Sequence, residues 1–375
     1  MKSNWRAYPL GEITELVIDY RGKTPKKLGG DWSESGYRAL SAKNIKTGHI
    51  VQPDTIRFVS EEMYHKWMKD EIQRGDIIIT SEAPFGQILY WDSEEKIVLS
   101  QRLFGVRVKE EHDSKFVYYY MTTSDFQGEM DGRATGTTVV GLRQPELMKC
   151  VVRCPDLDTQ KKIASILSSI DEKILINDKI NENLQQQEQA IYASMFIDNA
   201  DPAWIQGHLS DLITVKYGKD HKKLGDGSYP VYGSGGIMRY VERPLYDKES
   251  VLIPRKGTLN NVMYVNQPFW SVDTMFYTEM KLPNVAKFVY HFVKAKDLAS
   301  MNAGSAVPSM TTDILNAMEV TIPSASALEE FESLVAPMYR AMQENDIQSS
   351  KLSELRDALL PKLMSGEIDV ANIQL

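Results

Sequence analysis

Apolar side chains recur every seven residues between residues 157 and 197, and again near the end of the chain. Counted from Ile163, one core position is held by Ile163, Ile170, Asn177, Leu184 and Ile191. The other is held by Leu167, Ile174, Asn181, Glu188 and Met195. Moving 168 residues along gives Phe331, Met338, Asn345, Leu352 and Leu359, then Val335, Met342, Ser349, Arg356 and Leu363. Two separated segments therefore share one heptad, one register and one polar interruption midway. A stripe of this period leaves a face unburied unless a second helix covers it, so the pattern predicts two long helices packed on each other. About 40 residues at ~1.5 Å each make a rod of roughly 60 Å. A pair of ordinary core helices is the plainer reading, and the matched second copy weighs against it. Pro337, inside the second stripe, predicts a kink or a turn separating two helical pieces.

The polar and apolar pattern outside the stripes is short-range and turn-rich. Ile77-Ile78-Ile79-Thr80 predicts a short buried strand, residues 87–91 and 96–99 further strands, and the aromatic run 116–121 a helix. Tyr118, Tyr119 and Tyr120 within it read as core. The second half repeats this order. Trp204 and Leu209 match Trp5 and Leu10 at the same five-residue spacing, and GKDHKKLG at 218–225 matches GKTPKKLG at 22–29 at six of eight places. Residues 250–254 follow the pattern of 76–80, and Phe288-Val289-Tyr290 echoes Phe116-Val117-Tyr118. Gly304-Ser305-Ala306-Val307 matches Gly136-Thr137-Thr138-Val139, after which the offset of 168 holds, with Pro323 opposite Pro155. The chain reads as a tandem duplication. The expected class is α+β: globular domains at 1–155 and 200–323, separated and joined by long helices within 156–199 and 324–375 that pack as an antiparallel coiled coil.

Composition changes the picture mainly through charge. The chain of 375 residues carries a net −8. Divided by segment, residues 1–155 are neutral, 200–323 carry +1, and the helical segments carry −4 and −5. The helices hold all the excess acid, which suits contact with proteins, while the globular parts are left able to present basic faces. No apolar run reaches the ~18 residues of a membrane span, and MKSNWRAYPLGEI has no apolar signal core, so a cytoplasmic protein with no membrane partner is expected. Cys150 and Cys154 have the wrong spacing for a CxxC pair, and the six histidines are scattered, so no metal site is expected.

A duplicated unit closed by antiparallel helices tends toward a pseudo-two-fold, and duplex DNA has a local dyad of the same kind. The helix pair then serves as a ruler between two readers of opposite polarity. In that register Asn177 falls near Ser349, and Asn181 near Asn345, a polar layer that costs stability but pins alignment.

YPVYGSGGI at 229–237 and VLIPRKGTLNNVMYVNQPFWSVDTMFY at 251–277 resemble a target-recognition domain of the specificity subunits of type I restriction–modification enzymes. LRDALLPKLMSGEI at 355–368 resembles the family's C-terminal helix end, and PDLDTQKKIASILSSIDEKI at 155–174 its central helix start. The resemblance covers essentially the whole chain and is least specific in the first domain. It implies a non-catalytic subunit that binds double-stranded DNA, two methyltransferase (modification) subunits and restriction/translocase subunits. S-adenosylmethionine, ATP and magnesium would then belong to the partners, and the chain itself would carry no cofactor. No GxxxxGK[ST] loop and no GxGxxG after a strand occurs. The one nuclease-like coincidence, Pro53-Asp54 with Glu94-Glu95-Lys96, is spread over turn-rich sequence and is expected to be inert, so no catalytic residue is assigned.

Within the two recognition domains, contacts sort by chemistry. Lys23, Lys26 and Lys27, and their counterparts Lys219, Lys222 and Lys223, suit phosphate contacts from exposed loops, with solvated surface lysines as the plainer alternative. Ser234 and Gly235, in a glycine-rich turn, expose backbone amides to a phosphate or base edge, or form a plain turn. Arg255, Lys256, Asn260 and Asn261 carry the donors and acceptors that read purines. Arg102, Arg133, Thr137, Thr138 and Arg143 are the first-domain equivalents, with Ser305 opposite Thr137. The turns at Gly136 and Gly304 also fit structural hinges. Since the domains differ outside the shared positions, an asymmetric bipartite target with an unread gap is expected. Two other functions fit the same pattern: a stand-alone DNA-binding regulator that dimerises through its helices, and a scaffold that does not touch DNA.

Overall fold

The computed structural model describes residues 5–136, 139–301, 309–371 and 373. The chain forms two compact units, Met1–Ile176 with Gln348–Leu375, and Asn177–Ile347. Each unit is thus a globular part with part of each long helix. The central helix spans Leu157–Ala193 and closes in a π turn at Ser194–Asp198. The C-terminal helix spans Ala325–Met364.

Within each unit the helix halves run antiparallel. In the first unit Arg356 Nη1 meets Asp171 Oδ1 at 2.9 Å, while Ile163 and Leu167 share a core with Leu363 and Met364. The Tyr119 hydroxyl also donates to Asp171, at 2.6 Å, tying the aromatic helix Ser114–Met121 to the rod. In the second unit Asn345 Nδ2 donates to Asn181 Oδ1 at 2.8 Å, Asn181 Nδ2 donates to Asp346 Oδ1 at 2.8 Å, and Asn177 Nδ2 reaches the Asn345 carbonyl at 3.4 Å. Burial along the stripe is uneven. Ile163, Ile170, Phe331 and Met342 are buried, as is the polar Asn177, whereas Ile174, Leu184, Ile191, Met338, Asn345, Leu352 and Leu359 are half-buried. Two helices alone cover each other along one side; most of the fully buried positions lie where a globular part adds a third wall.

Pro337 does not divide the second helix, which continues unbroken through it. Proline removes the hydrogen bond that would reach the carbonyl four residues back, at Ser333. Both residues are exposed, so water can take that carbonyl, and the buried Phe331 and Val335 hold the helix on course.

The globular parts are built alike. In the first, an antiparallel sheet orders Thr14–Ile18, Leu103–Val108, Ile77–Thr80 and Ile88–Tyr90. In the second, the same order holds for Ile213–Tyr217, Met275–Met280, Ser250–Pro254 and Met263–Val265. A three-stranded sheet with one antiparallel and one parallel pairing accompanies each: Arg57–Val59, Tyr37–Leu40, Ile97–Leu99, and Gly236–Val241, Tyr229–Gly233, Trp270–Ser271. Arg6–Pro9 with Val151–Cys154, and Ile205–His208 with Glu319–Ile322, return the chain to the helices.

The apolar run 77–79 has a simple reason. Alternate side chains on a strand point to opposite faces. Ile77 and Ile79 enter the core shared with the helices, and Ile78 enters a separate core with Trp67 and Leu99. Val251 and Ile253 against Leu252 repeat this division. Beside the first run, buried Asp76 takes Arg107 Nε at 2.9 Å and Nη2 at 2.8 Å. At the matching position Ser250 Oγ donates to the Thr278 carbonyl at 2.8 Å.

The second unit buries a titratable pair at its helix wall. Glu188 and His291 are 2% and 1% exposed, with Oε1 and Nε2 4.0 Å apart. Burial pushes the Glu188 carboxyl up to about 7, against the pull of the Tyr339 hydroxyl, Lys294 and Lys287. Burial, with Lys294 adding, pushes the His291 imidazole down to about 4. A raised acid removes stability as pH climbs from its ordinary 4.5 toward 7. A depressed histidine removes stability as pH falls from 6.5 toward 4. Between these limits the two slopes oppose each other, so this pair is expected to leave the unit's stability nearly flat. Glu188→Gln deletes the first slope. Urea unfolding of that variant at stepped pH should show stability rising from about pH 4 to 6.5, by on the order of 3 kcal/mol. An unchanged flat profile would mean that His291 is not held neutral.

Candidate nucleic-acid interface

In the second unit, one exposed surface gathers residues from three loops. Strand Ile213–Tyr217 ends in exposed Tyr217 and passes through Gly218, where a Cβ would stand 2.0 Å from the Val272 carbonyl oxygen, so only glycine fits. Lys219 follows; its carbonyl accepts from the Trp270 indole at 2.8 Å, which anchors the backbone and leaves the ammonium exposed. Lys222 and Lys223 are exposed as well. The Arg255 guanidinium lies over the Tyr217 ring, 5.4 Å from its centroid. Asn261 Nδ2 donates to the Ser234 carbonyl at 2.8 Å, docking loop 255–262 against the turn at Ser234-Gly235. Gly257, at φ +86°, turns that loop where a Cβ would meet Ser234 Oγ at 2.6 Å. Lys256 beside it is exposed.

Two asparagines expected to read bases make hydrogen bonds within the protein. Asn260 Nδ2 donates to Asp297 at 3.0 Å and its Oδ1 accepts from the Ala299 amide at 2.9 Å, so its carboxamide is engaged at both ends. Asn261 spends its donor on Ser234. Each carboxamide keeps further donor and acceptor capacity, but these bonds fix its orientation.

The first unit holds the equivalent loop at 81–87. Arg102, at φ +67°, pairs through Nε with Glu82 Oε1 at 3.1 Å. Arg133 lies between Glu129 at 3.8 Å and Glu146 at 3.7 Å, so two of the three arginines face carboxylates; Arg143 is exposed. The lysine loop differs from its expected open form. Lys26–Leu28 is a turn of 3₁₀ helix, Lys23 Nζ donates to the Trp67 carbonyl at 2.7 Å, and Lys27 Nζ donates to the Gly22 carbonyl at 2.7 Å. Burial and the neighbouring Lys69 lower the Lys23 ammonium. Lys26 and Lys27 are exposed, and Lys23 is half-buried with its ammonium anchored on Trp67. Thr137, Thr138, Gly304 and Ser305 lie outside the described residues.

The two loops meet their neighbours alike: Glu82 bridges Gly141, and Lys256 bridges Ser309, 168 residues after Gly141. A carboxylate in one domain thus stands where an ammonium stands in the other. Sequence reasoning missed Glu82, and it missed the exposed apolar residues Ile237, Met238 and Tyr240 on the hairpin and Val139 beside Gly136. Apolar residues in a strand read as core, and the run Ile237-Met238 carries no alternation that would have marked them as exposed.

Among the described residues no group of three or more His, Cys, Asp or Glu could hold a metal ion, and no helix is long and apolar enough to cross a membrane. Cys150 and Cys154 are buried free thiols that burial pushes up to about 11 and about 12.

The chain is 22% identical over 343 residues to the type I restriction enzyme MjaIX specificity subunit of Methanocaldococcus jannaschii, covering 80% of this chain and 79% of that protein. It is 22% identical over 424 residues to the HindI specificity subunit of Haemophilus influenzae, covering 80% and 88%. The crystal structure of a type I restriction–modification S subunit from M. genitalium superposes with a TM-score of 0.64 at 18% identity, covering 96% of each chain, and shares the fold. The family model of the type I restriction modification DNA specificity domain matches twice, over residues 2–186 and 203–331. The chain therefore belongs to the type I restriction–modification DNA specificity family.

Proposed function

We propose that this specificity subunit reads an asymmetric, bipartite target on duplex DNA, one half through each globular domain, across an unread gap. The observation that carries the reading is the charge reversal between matched loops, Glu82 with Arg102 in one domain and Lys256 with Arg255 in the other. Domains built alike but charged differently at the same place favour different base edges. The subunit performs no chemistry itself. Two methyltransferase subunits, and restriction subunits for translocation and cleavage, are the proposed partners; they carry S-adenosylmethionine, ATP and magnesium and flip the target base. The acid on the helices supports protein partners there. Nothing observed favours the stand-alone regulator.

The test is an exchange of residues 1–155 for another recognition domain, followed by mapping methylated positions across the host genome. One half of the target should change. Changes in both halves, or methylation confined to one continuous block, would overturn the reading. A second expectation concerns the lysines. Replacing Lys219, Lys222 and Lys223 by alanine should weaken binding to every sequence alike. The salt slope should fall by about 0.9 for each phosphate that is no longer neutralised, up to roughly 3. Lys23→Ala should lower that slope less than any one of these, since its ammonium is anchored on the Trp67 carbonyl and half-buried. Fluorescence anisotropy across a salt series measures both.

A further inference from the structure

The second unit contains a cavity of about 260 Å³ between the helix pair and the globular part. At roughly 30 Å³ per water, that is space for about eight waters or a short aliphatic chain. Tyr232, Tyr264, Tyr290 and Tyr339 line it together with Glu188 and Asp346, and the remaining polar lining is four carboxamides, Gln267 and Gln343 among them. No lysine or arginine lines it. Glu188 is 2% exposed; the Tyr339 hydroxyl lies near enough to favour its charged form, but its Oε2 makes no well-aligned hydrogen bond within the protein. A buried carboxyl oxygen without a donor is costly, and the shortage is one that an incoming cationic donor would correct. Tyrosine faces attract cations in the same way.

Neighbouring ammonium groups do not already fill this role. Lys287 Nζ approaches the Tyr264 and Tyr339 rings at 5.1 and 5.4 Å, but its charge is met by Glu332 at 2.7 Å and Glu249 at 3.1 Å. Lys294 sits over Tyr290 at 4.8 Å and donates to that residue's hydroxyl. Asp346 keeps one oxygen on Asn181.

We propose that the cavity is a binding site for a primary alkylammonium group, its nitrogen held by the Glu188 carboxylate and its methylenes laid against the tyrosine rings. A free polyamine and a lysine side chain of a partner protein share this chemistry. The proposal does not rest on the DNA-reading assignment of the neighbouring loops.

Calorimetry on the full chain tests it, with n-butylammonium as the probe and butanol and butyrate as isosteric controls. Butylammonium should bind and the controls should not. Glu188→Gln should weaken binding at least tenfold. In the wild type, binding has to ionise Glu188 while His291 stays neutral; Lys287, Lys294, Glu249, Glu332 and the cavity-lining Asp346, whose carboxyl burial also pushes up, are the other charged groups around it. Affinity should therefore fall about tenfold from pH 8 to pH 6, with a proton released at the lower pH. That proton count, taken in two buffers of different ionisation heat, needs no variant and serves even if Glu188→Gln fails to fold. Spermidine binding tighter than butylammonium assigns the site to a polyamine, and Nα-acetyl-lysine amide binding tighter assigns it to a protein side chain. Butanol matching butylammonium, an affinity unchanged between pH 6 and 8, or no binding of any amine would overturn the proposal.

Discussion

Phe331→Ala is expected to lower the unfolding free energy of the second unit by about 3–5 kcal/mol. Phe331 is fully buried on the C-terminal helix, and its ring meets Phe196 edge-on at 5.0 Å, His291 at 5.9 Å and Tyr192 at 6.1 Å. Truncation opens a void among aromatic rings that cannot close without moving the end of the central helix, where Tyr192 and Phe196 sit. Transfer energy and packing are both forfeited. Leu334, three residues on and 46% exposed, is the internal control; its alanine variant should stay within about 0.5 kcal/mol of the wild type. Urea unfolding midpoints measure both. If the two variants were destabilised equally, the heptad face would be wrongly assigned.

Asp76→Ala is expected to cost the first unit about 3–5 kcal/mol, by a different route. Asp76 is 1% exposed, accepts two hydrogen bonds from Arg107 and a third from the Gln73 amide at 2.8 Å. Removing it leaves a guanidinium partly buried, with one hydrogen bond to the Glu71 carbonyl and the weaker attraction of Glu15 and Asp70. Desolvation of the remaining charge dominates, so the double variant Asp76→Ala/Arg107→Met should be more stable than the single one. The second domain already lives without such a pair, using Ser250 and Thr278 at that place. A double variant no better than the single would assign the cost to the missing hydrogen bond from Gln73.

The architecture was legible in the sequence because duplication writes each element twice. Two copies of the heptad stripe, of the lysine–glycine loop and of the apolar strand reinforced one another where a single copy would have been ambiguous. The candidate interface was less legible, because the partners that decide it are distant in sequence. Lys23 is claimed by Trp67, Asn260 by Asp297, and Arg102 by Glu82. Each of those side chains has the chemistry of a DNA contact, and only the tertiary fold shows that it is already engaged. Glu188 fell on a heptad core position, but nothing near it in sequence pointed to His291 or to the cavity. Pro337 was read by its local rule, which the long buried face overrides.

Ile77, Ile78 and Ile79 are all buried, the outer two in one core and the middle one in another. A strand with one wet face would be punished for slipping by a residue, since oil would meet water. Here a slip would only exchange one dry interior for another, so hydrophobicity does not say where the strand should stop. That information has to come from its polar neighbours: Asp76 clamped on Arg107 at one end, and Thr80, whose hydroxyl takes the Gln87 amide, at the other. Hydrogen exchange along this strand should therefore respond more to changes at those two bookends than to trimming any one isoleucine to valine.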